Sequence, residues 1–269
     1  MGLPRRRGRL VLTVLAAAAA LAACATPQTG DAAETTPPQT VGAGAATPPP
    51  TGARGYDCNG RPVDPVAFAA ARPAATLPAE QLAIVESAMD AAGQPIGLDT
   101  DQWIVVASAD DQIDLMRPVN RGEPALDAGH DWEHIVIGVL GSAGWMVTSW
   151  STCALSYDPS PLTAAEVSLD PATPPDPSSR DLALLVTERA CNGGQGAEGR
   201  VRLVELVETA DTVTVMIGVD RTGMDGQYTC PSNPPTPFTV TLAEPLGGRA
   251  IVNGNLVEAR PIELPGPAH

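Results

Sequence analysis

The residues best placed to do chemistry are His130-Asp131-Trp132-Glu133-His134, where two imidazoles four apart enclose two carboxylates. On a helix that spacing puts both rings on one face, where they would hold a metal ion with a carboxylate beside them. Gly129 precedes the segment and the strand-like Ile135-Val136-Ile137 follows it, so the rings do not share a helix and a metal would need a loop site. The only other histidine is His269, so a His-based triad would have to use His130 or His134. Asp110, Asp111 and Asp114 could offer carboxylate oxygens to Ca²⁺, but they lack the glycine and distal Glu of a calcium loop and read as a solvated turn between strands. Gly141-Ser142-Ala143-Gly144 is the nearest approach to Gly-x-Ser-x-Gly and is simpler as a hairpin loop. No phosphate-cradling Gly-rich loop leads from a strand into a helix. These segments predict no catalytic residue, metal ligand or cofactor, although a carboxylate pair leaves no motif and would be hidden among 31 acids.

The chain has 269 residues, 16 Arg, no Lys and a formal charge of −15, which excludes nucleic-acid binding of the ordinary basic kind. Its beginning is directional. Arg5, Arg6, Arg7 and Arg9 form a basic head, and Leu10 to Ala23 form an apolar run too short to span about 30 Å of hydrocarbon. The run ends in Leu21-Ala22-Ala23-Cys24, which resembles a bacterial lipobox, with Cys24 as the lipid acceptor. Two acyl chains there would anchor the protein stably, through Cys24, to the outer face of the cytoplasmic membrane, facing the cell wall. The Arg cluster is also a weak match to a twin-arginine export signal. Cleavage would leave 12 Arg against 31 acids, a net −19 that stands off an anionic membrane surface.

Residues 24–55 are Thr, Pro, Gly, Ala and Gln with almost no large apolar side chain, so they read as a disordered tether. A second Pro-rich stretch, 158–180, divides the remainder into modules at 56–157 and 181–264, with 265–269 as a tail. Inside that stretch Leu162 to Leu169 suits either an edge strand or a helical turn. The first module predicts a helix over Ala79 to Ala92, with Leu82, Val85, Met89 and Ala92 on one face, packed on an antiparallel sheet. The strands of that sheet are expected at Trp103 to Ser108, Gln112 to Arg117, His134 to Leu140 and Trp145 to Thr152, with Trp103, Trp145 and Trp150 in its core.

The second module alternates with period two: Leu184 and Val186; Val201 and Leu203; Val213, Val215, Ile217 and Val219; Phe238, Val240 and Leu242. Thr212, Thr214, Thr239 and Thr241 mark the opposite face, and Asn253-Gly254 suits a tight turn. The fold class is therefore α+β, a helix-on-sheet module followed by an all-β sandwich. Beyond Cys24 four cysteines remain, which allow three pairings in an oxidising compartment. The module boundary favours Cys58 with Cys153 and Cys191 with Cys230; without any Cys-x-x-Cys spacing, zinc is the poorer reading.

Val186-Thr187-Glu188-Arg189-Ala190-Cys191, Glu198-Gly199-Arg200, Cys230-Pro231-Ser232-Asn233-Pro234-Pro235 and Glu244-Pro245-Leu246-Gly247, with Gly144-Trp145 and Trp150-Ser151-Thr152-Cys153, together resemble secreted lipoproteins of high-GC Gram-positive bacteria. Ser232 and Asn192-Gly193-Gly194 depart from that pattern. The resemblance implies the same address and architecture and no substrate. A Cys191–Cys230 bond would lay the Asn192 to Gln195 loop against the Ser232 to Pro237 loop, making Asn192, Gln195 and Asn233 a candidate binding surface. The leading functional reading is a lipid-anchored envelope protein with a binding or accessory role, toward an envelope protein or a wall partner. The alternatives are a wall-directed hydrolase using a carboxylate pair, expected to show two acids in a cleft with one carboxyl raised, or an inhibitor of extracellular peptidases.

Overall fold

The computed structural model describes residues 39–42, 54–119, 130–221 and 231–265. A strand β1 at Gln39–Gly42 is followed by a small hairpin, β2 (Tyr56–Cys58) and β3 (Arg61–Val63), then by helices α1 (Pro65–Ala70) and α2 (Ala79–Glu86). Strands β4 (Ile104–Ser108), β5 (Gln112–Pro118), β6 (Trp132–Val139) and β7 (Trp145–Cys153) form an antiparallel four-stranded sheet in chain order. Seven strands and a short final one complete the fold: β8 (Ser156–Tyr157), β9 (Thr163–Leu169), β10 (Asp181–Glu188), β11 (Val201–Glu208), β12 (Thr212–Val219), β13 (Thr236–Thr241), β14 (Ala250–Asn253) and β15 (Arg260–Pro261). The α+β class holds, with strands dominant and the later ones arranged as a sandwich.

The four-stranded sheet is covered on both faces. Ile113, Leu115, Ile135 and Ile137 point one way with Trp103 and meet Val85 of α2. Met116 and Val106 point the other way and meet Cys58, Val63, Cys153 and Leu155 around the Cys58–Cys153 disulfide. Helix α1 closes that second core. Asp64 caps it by accepting the Val66 N–H (2.8 Å), Pro65 suits its first turn, and Phe68 stands edge-on to Trp132 at 4.7 Å.

Helix α2 is shorter than the expected Ala79 to Ala92. Ser87 turns its hydroxyl back to the Ala83 carbonyl (2.7 Å), and the Asp90 carboxylate accepts the N–H groups of Ala92 (2.9 Å) and Gln94 (2.8 Å). These local bonds offer the backbone a turn in place of another helical one. Of the expected helix face Val85 is buried, whereas Met89 is 45% exposed and Ala92 lies in the turn. The tryptophans also divide: Trp103 is fully buried, Trp145 is half-buried, and Trp150 is 49% exposed with its edge against Trp103.

All the period-two apolar residues expected to point inward from 184 to 242 are buried in a single core. β9, within the Pro-rich stretch, connects the layers of the sandwich. Its residues 165–169 pair antiparallel with β10, while Ala164 and Thr163 pair with Gly218 and Val219 of β12. One strand thus belongs to both layers, a corner device of sandwich folds. Within the stretch read as a tether, Gln39–Gly42 pairs in parallel with β13, so these four residues depart from the disordered reading.

The described residues from Gln39 onward belong to one unit, Pro38–His269. The chain after β14 joins the two sheet systems: Tyr157 N–H donates to Asn255 O (2.8 Å), Val257 N–H donates to Leu155 O (2.9 Å), and Val257 packs in the Cys58–Cys153 core. Arg260 pairs with Asp131 across the same seam.

Candidate functional site

The seam opens into a trough with two lobes. The larger has a volume of about 610 Å³ and the smaller about 480 Å³, and Ser156, Asp158, Ser160, Ala164 and Arg189 line both. β9 contributes Ala164 to both lobes, and the β2–β8 pair and the residue after it contribute Asp57, Ser156 and Asp158 as one wall.

Local backbone chemistry sets that wall. Asn59 and Gly60 both take left-handed φ values, 55° and 84°, and form the two-residue turn that closes β2 on β3. Asp57 pairs with Ser156, and the ladder continues where Asp158 N–H donates to Gly55 O (2.8 Å). Asp57 and Asp158 are therefore diagonal neighbours on one face of the pair, where such positions lie about 7–8 Å apart. A Cβ at Gly55 would touch the Asp158 Cβ at 3.5 Å, so the residue opposite Asp158 is one that leaves its side chain uncovered.

Burial pushes the Asp57 carboxyl above the ordinary range and the Asp158 charge adds to this; the Gly60 N–H (2.8 Å) and the Arg189 charge pull the other way without cancelling it. Asp158 accepts the Ser160 N–H (2.9 Å). Arg189 donates from Nη2 to Asn59 Oδ1 (2.8 Å), a neutral partner. Among the described residues neither acid makes an ion pair with Arg189 or any other cation, whereas Glu133, Glu188, Glu205, Glu208 and Asp220 are each paired with an arginine. The trough thus keeps opposite charges near one another and unpaired.

The rest of the lining suits an amphiphilic guest. The larger lobe is faced by Tyr157, Met216 and Leu256, with Arg54, His130 and Glu166 at its edges. Arg54 is held by Glu205 (3.2 Å), and His130 Nδ1 lies 3.0 Å from Thr152 Oγ1. Behind the smaller lobe Glu188 is buried. Burial would raise its carboxyl, yet Arg200 (2.7 Å), Asn192 (2.7 Å) and Thr163 (3.1 Å) hold it below the ordinary range.

The other residues singled out by sequence fall elsewhere. His130 lines the trough, but His134 is fully buried within the four-stranded sheet, 3.5 Å from Asp114, so the two rings form no common site. Asp114 belongs to β5 and is 5% exposed; only Asp110 and Asp111 occupy the solvated turn. Glu133 is paired with Arg117 (2.6 Å). No group of three potential metal ligands occurs among the described residues.

Cys58 bonds Cys153, and Cys191 is also disulfide-bonded; Cys24 and Cys230 lie outside the described residues. The 192–195 loop does approach the Pro-rich loop, since a Cβ on Gly194 would lie 2.9 Å from Pro231 Cγ. Asn192 is buried and spends its amide on Glu188 and the Gln195 carbonyl; Asn233 is half-buried and donates to the carbonyls of Glu188 and Ala190. Of the three, only Gln195 is exposed.

No family model, curated protein or solved structure matches the chain. Asp57 and Asp158 lie in no motif, and Arg189 falls in the Val186 to Cys191 block without being marked there as a site residue. The one local signal is Asn59-Gly60, which sets the turn behind Asp57.

Proposed function

We propose that this is a lipid-anchored extracytoplasmic protein, akin to the secreted lipoproteins its motifs resemble, that binds a ligand of the cell envelope in the trough. The observation that carries the reading is the trough itself: concave, partly apolar, and supplied with a few converging charged groups in the manner of ligand sites. Cys24 is the anchor, and the Pro-rich segment after it is the tether. A photoreactive side chain at Leu256 should capture an envelope component in intact cells, while the same group at Val66, 76% exposed and outside the trough, should not. Equal capture from both positions would refute trough binding. Replacing Cys24 with Ala should abolish incorporation of an alkyne-tagged fatty acid and release the protein from the membrane fraction.

A second reading is favoured by one observation. Asp57 is raised and stands beside Asp158, an arrangement that separates an acid from a base and suits hydrolysis by a carboxylate pair. Purified protein would then release soluble fragments from a cell-wall suspension, and Asp57→Asn and Asp158→Asn would each abolish the release. Fragment release unaffected by either substitution would remove the pair from the chemistry.

A further inference from the structure

Because the two charge sets in the trough are held in place without neutralising each other, we infer that its ligand is a short zwitterionic peptide, bound through its ammonium by Asp57 and Asp158 and through its carboxylate by Arg189. The inference rests on the trough being a binding site and adds the chemistry of the guest.

The geometry argues for both charges at once. Asp57 and Asp158 each accept a single backbone N–H, from Gly60 and from Ser160, which leaves further lone pairs on each carboxylate for donors in the trough. An ammonium has three donors and no acceptor, so it matches two carboxylates on one sheet face, and its charge would relieve their mutual repulsion. Arg189 uses one of its five N–H groups on Asn59 and lines both lobes, so its planar fork remains suited to bidentate recognition of a carboxylate. A simple cation would leave Arg189 without a role, and a simple anion would meet two carboxylates.

The apolar part of the lining gives the size and character of the remainder. Tyr157, Met216 and Leu256 face a lobe of about 610 Å³, larger than a single amino acid requires and suited to two or three residues with aliphatic side chains.

The test is calorimetric titration of the protein, from Ala25 onward, with the tripeptide Leu-Ala-Leu in three forms: free termini, N-acetylated and C-amidated. The free form should bind, and each blocked form should bind at least tenfold more weakly. In Asp57→Asn the loss on acetylation should shrink to less than threefold, and in Arg189→Gln the loss on amidation should shrink likewise. Equal binding of all three forms, penalties unchanged by the substitutions, or no binding of any form would overturn the zwitterion assignment. The underlying reading is judged separately. Ser160→Cys is alkylated with a bulky maleimide after folding, which fills the trough without disturbing the core, and capture through the Leu256 crosslinker is repeated. Loss of capture would keep trough binding even where the titration had overturned the peptide assignment; unchanged capture would remove both.

Discussion

Glu188 and Asp57 are both acids removed from bulk water near the same seam, and they are treated in opposite ways. Glu188 receives a guanidinium, an amide and a hydroxyl, and its carboxyl is held below the ordinary range. Asp57 receives one backbone N–H, has another carboxylate for a neighbour, and is raised. The first arrangement spends charge on stability, because a buried ion needs partners for its lone pairs. The second leaves charge available, which a structure tolerates where something else is to supply the partner. The contrast separates framework from site more clearly than any motif does.

Four substitutions or conditions would break or sharpen it. The largest effect should come from the Cys58–Cys153 bond, which ties β2, and with it Asp57, to the end of β7. Its loop of 95 residues predicts a loss of about 4.7 kcal/mol on replacing both cysteines with Ala, measured by chemical denaturation. Next comes Arg200→Ala, which would strand Glu188, 3% exposed, without its cation and should cost about 3 kcal/mol. A cost below about 1 kcal/mol would show that Glu188 is not the framework charge described.

The pH dependence follows from the same signs. Glu188 and Glu208 are lowered in the folded state, so they contribute stability above their unfolded value near 4.5 and lose it as pH falls through that value toward the folded one. Acid unfolding should therefore steepen below about pH 4.5, and Glu188→Gln should flatten it. Asp57 has the reverse sign. Its folded value lies above 3.8, so its contribution is most favourable in acid and declines as pH rises through the folded value. Asp57→Asn should then raise the unfolding free energy slightly at pH 7, by about a few tenths of a kcal/mol at most because the group is partly solvated. A drop in stability from Asp57→Asn would move Asp57 to the framework side and erase the contrast.

Much of the framework was legible. The alternation of Val213, Val215, Ile217 and Val219, or of Phe238, Val240 and Leu242, is long enough to specify a buried face unaided, and all of these residues are buried. The end of α2 was not, because Leu82, Val85 and Met89 keep helical spacing past the point where Ser87 and Asp90 capture the backbone. β9 was legible only as a piece of something, since its meaning depends on two partners, β10 and β12. The trough was the least legible part. Asp57 and Asp158 meet through a strand pair only three residues long at its longest, too short to show a period. The expected Cys58–Cys153 bond carried an unused consequence, that Asp57 lies near the chain after Cys153; with the Asn59-Gly60 turn, which was not read as one, it would have led to the acid pair.

The most direct measurement is hydrogen–deuterium exchange on the protein alone and after incubation with its own envelope fraction. Trough binding predicts protection confined to the lining segments, residues 54–60, 155–166, 188–190, 216–217 and 253–257, with the exposed face of β11 unchanged. Protection only elsewhere, or none at those segments, would contradict it.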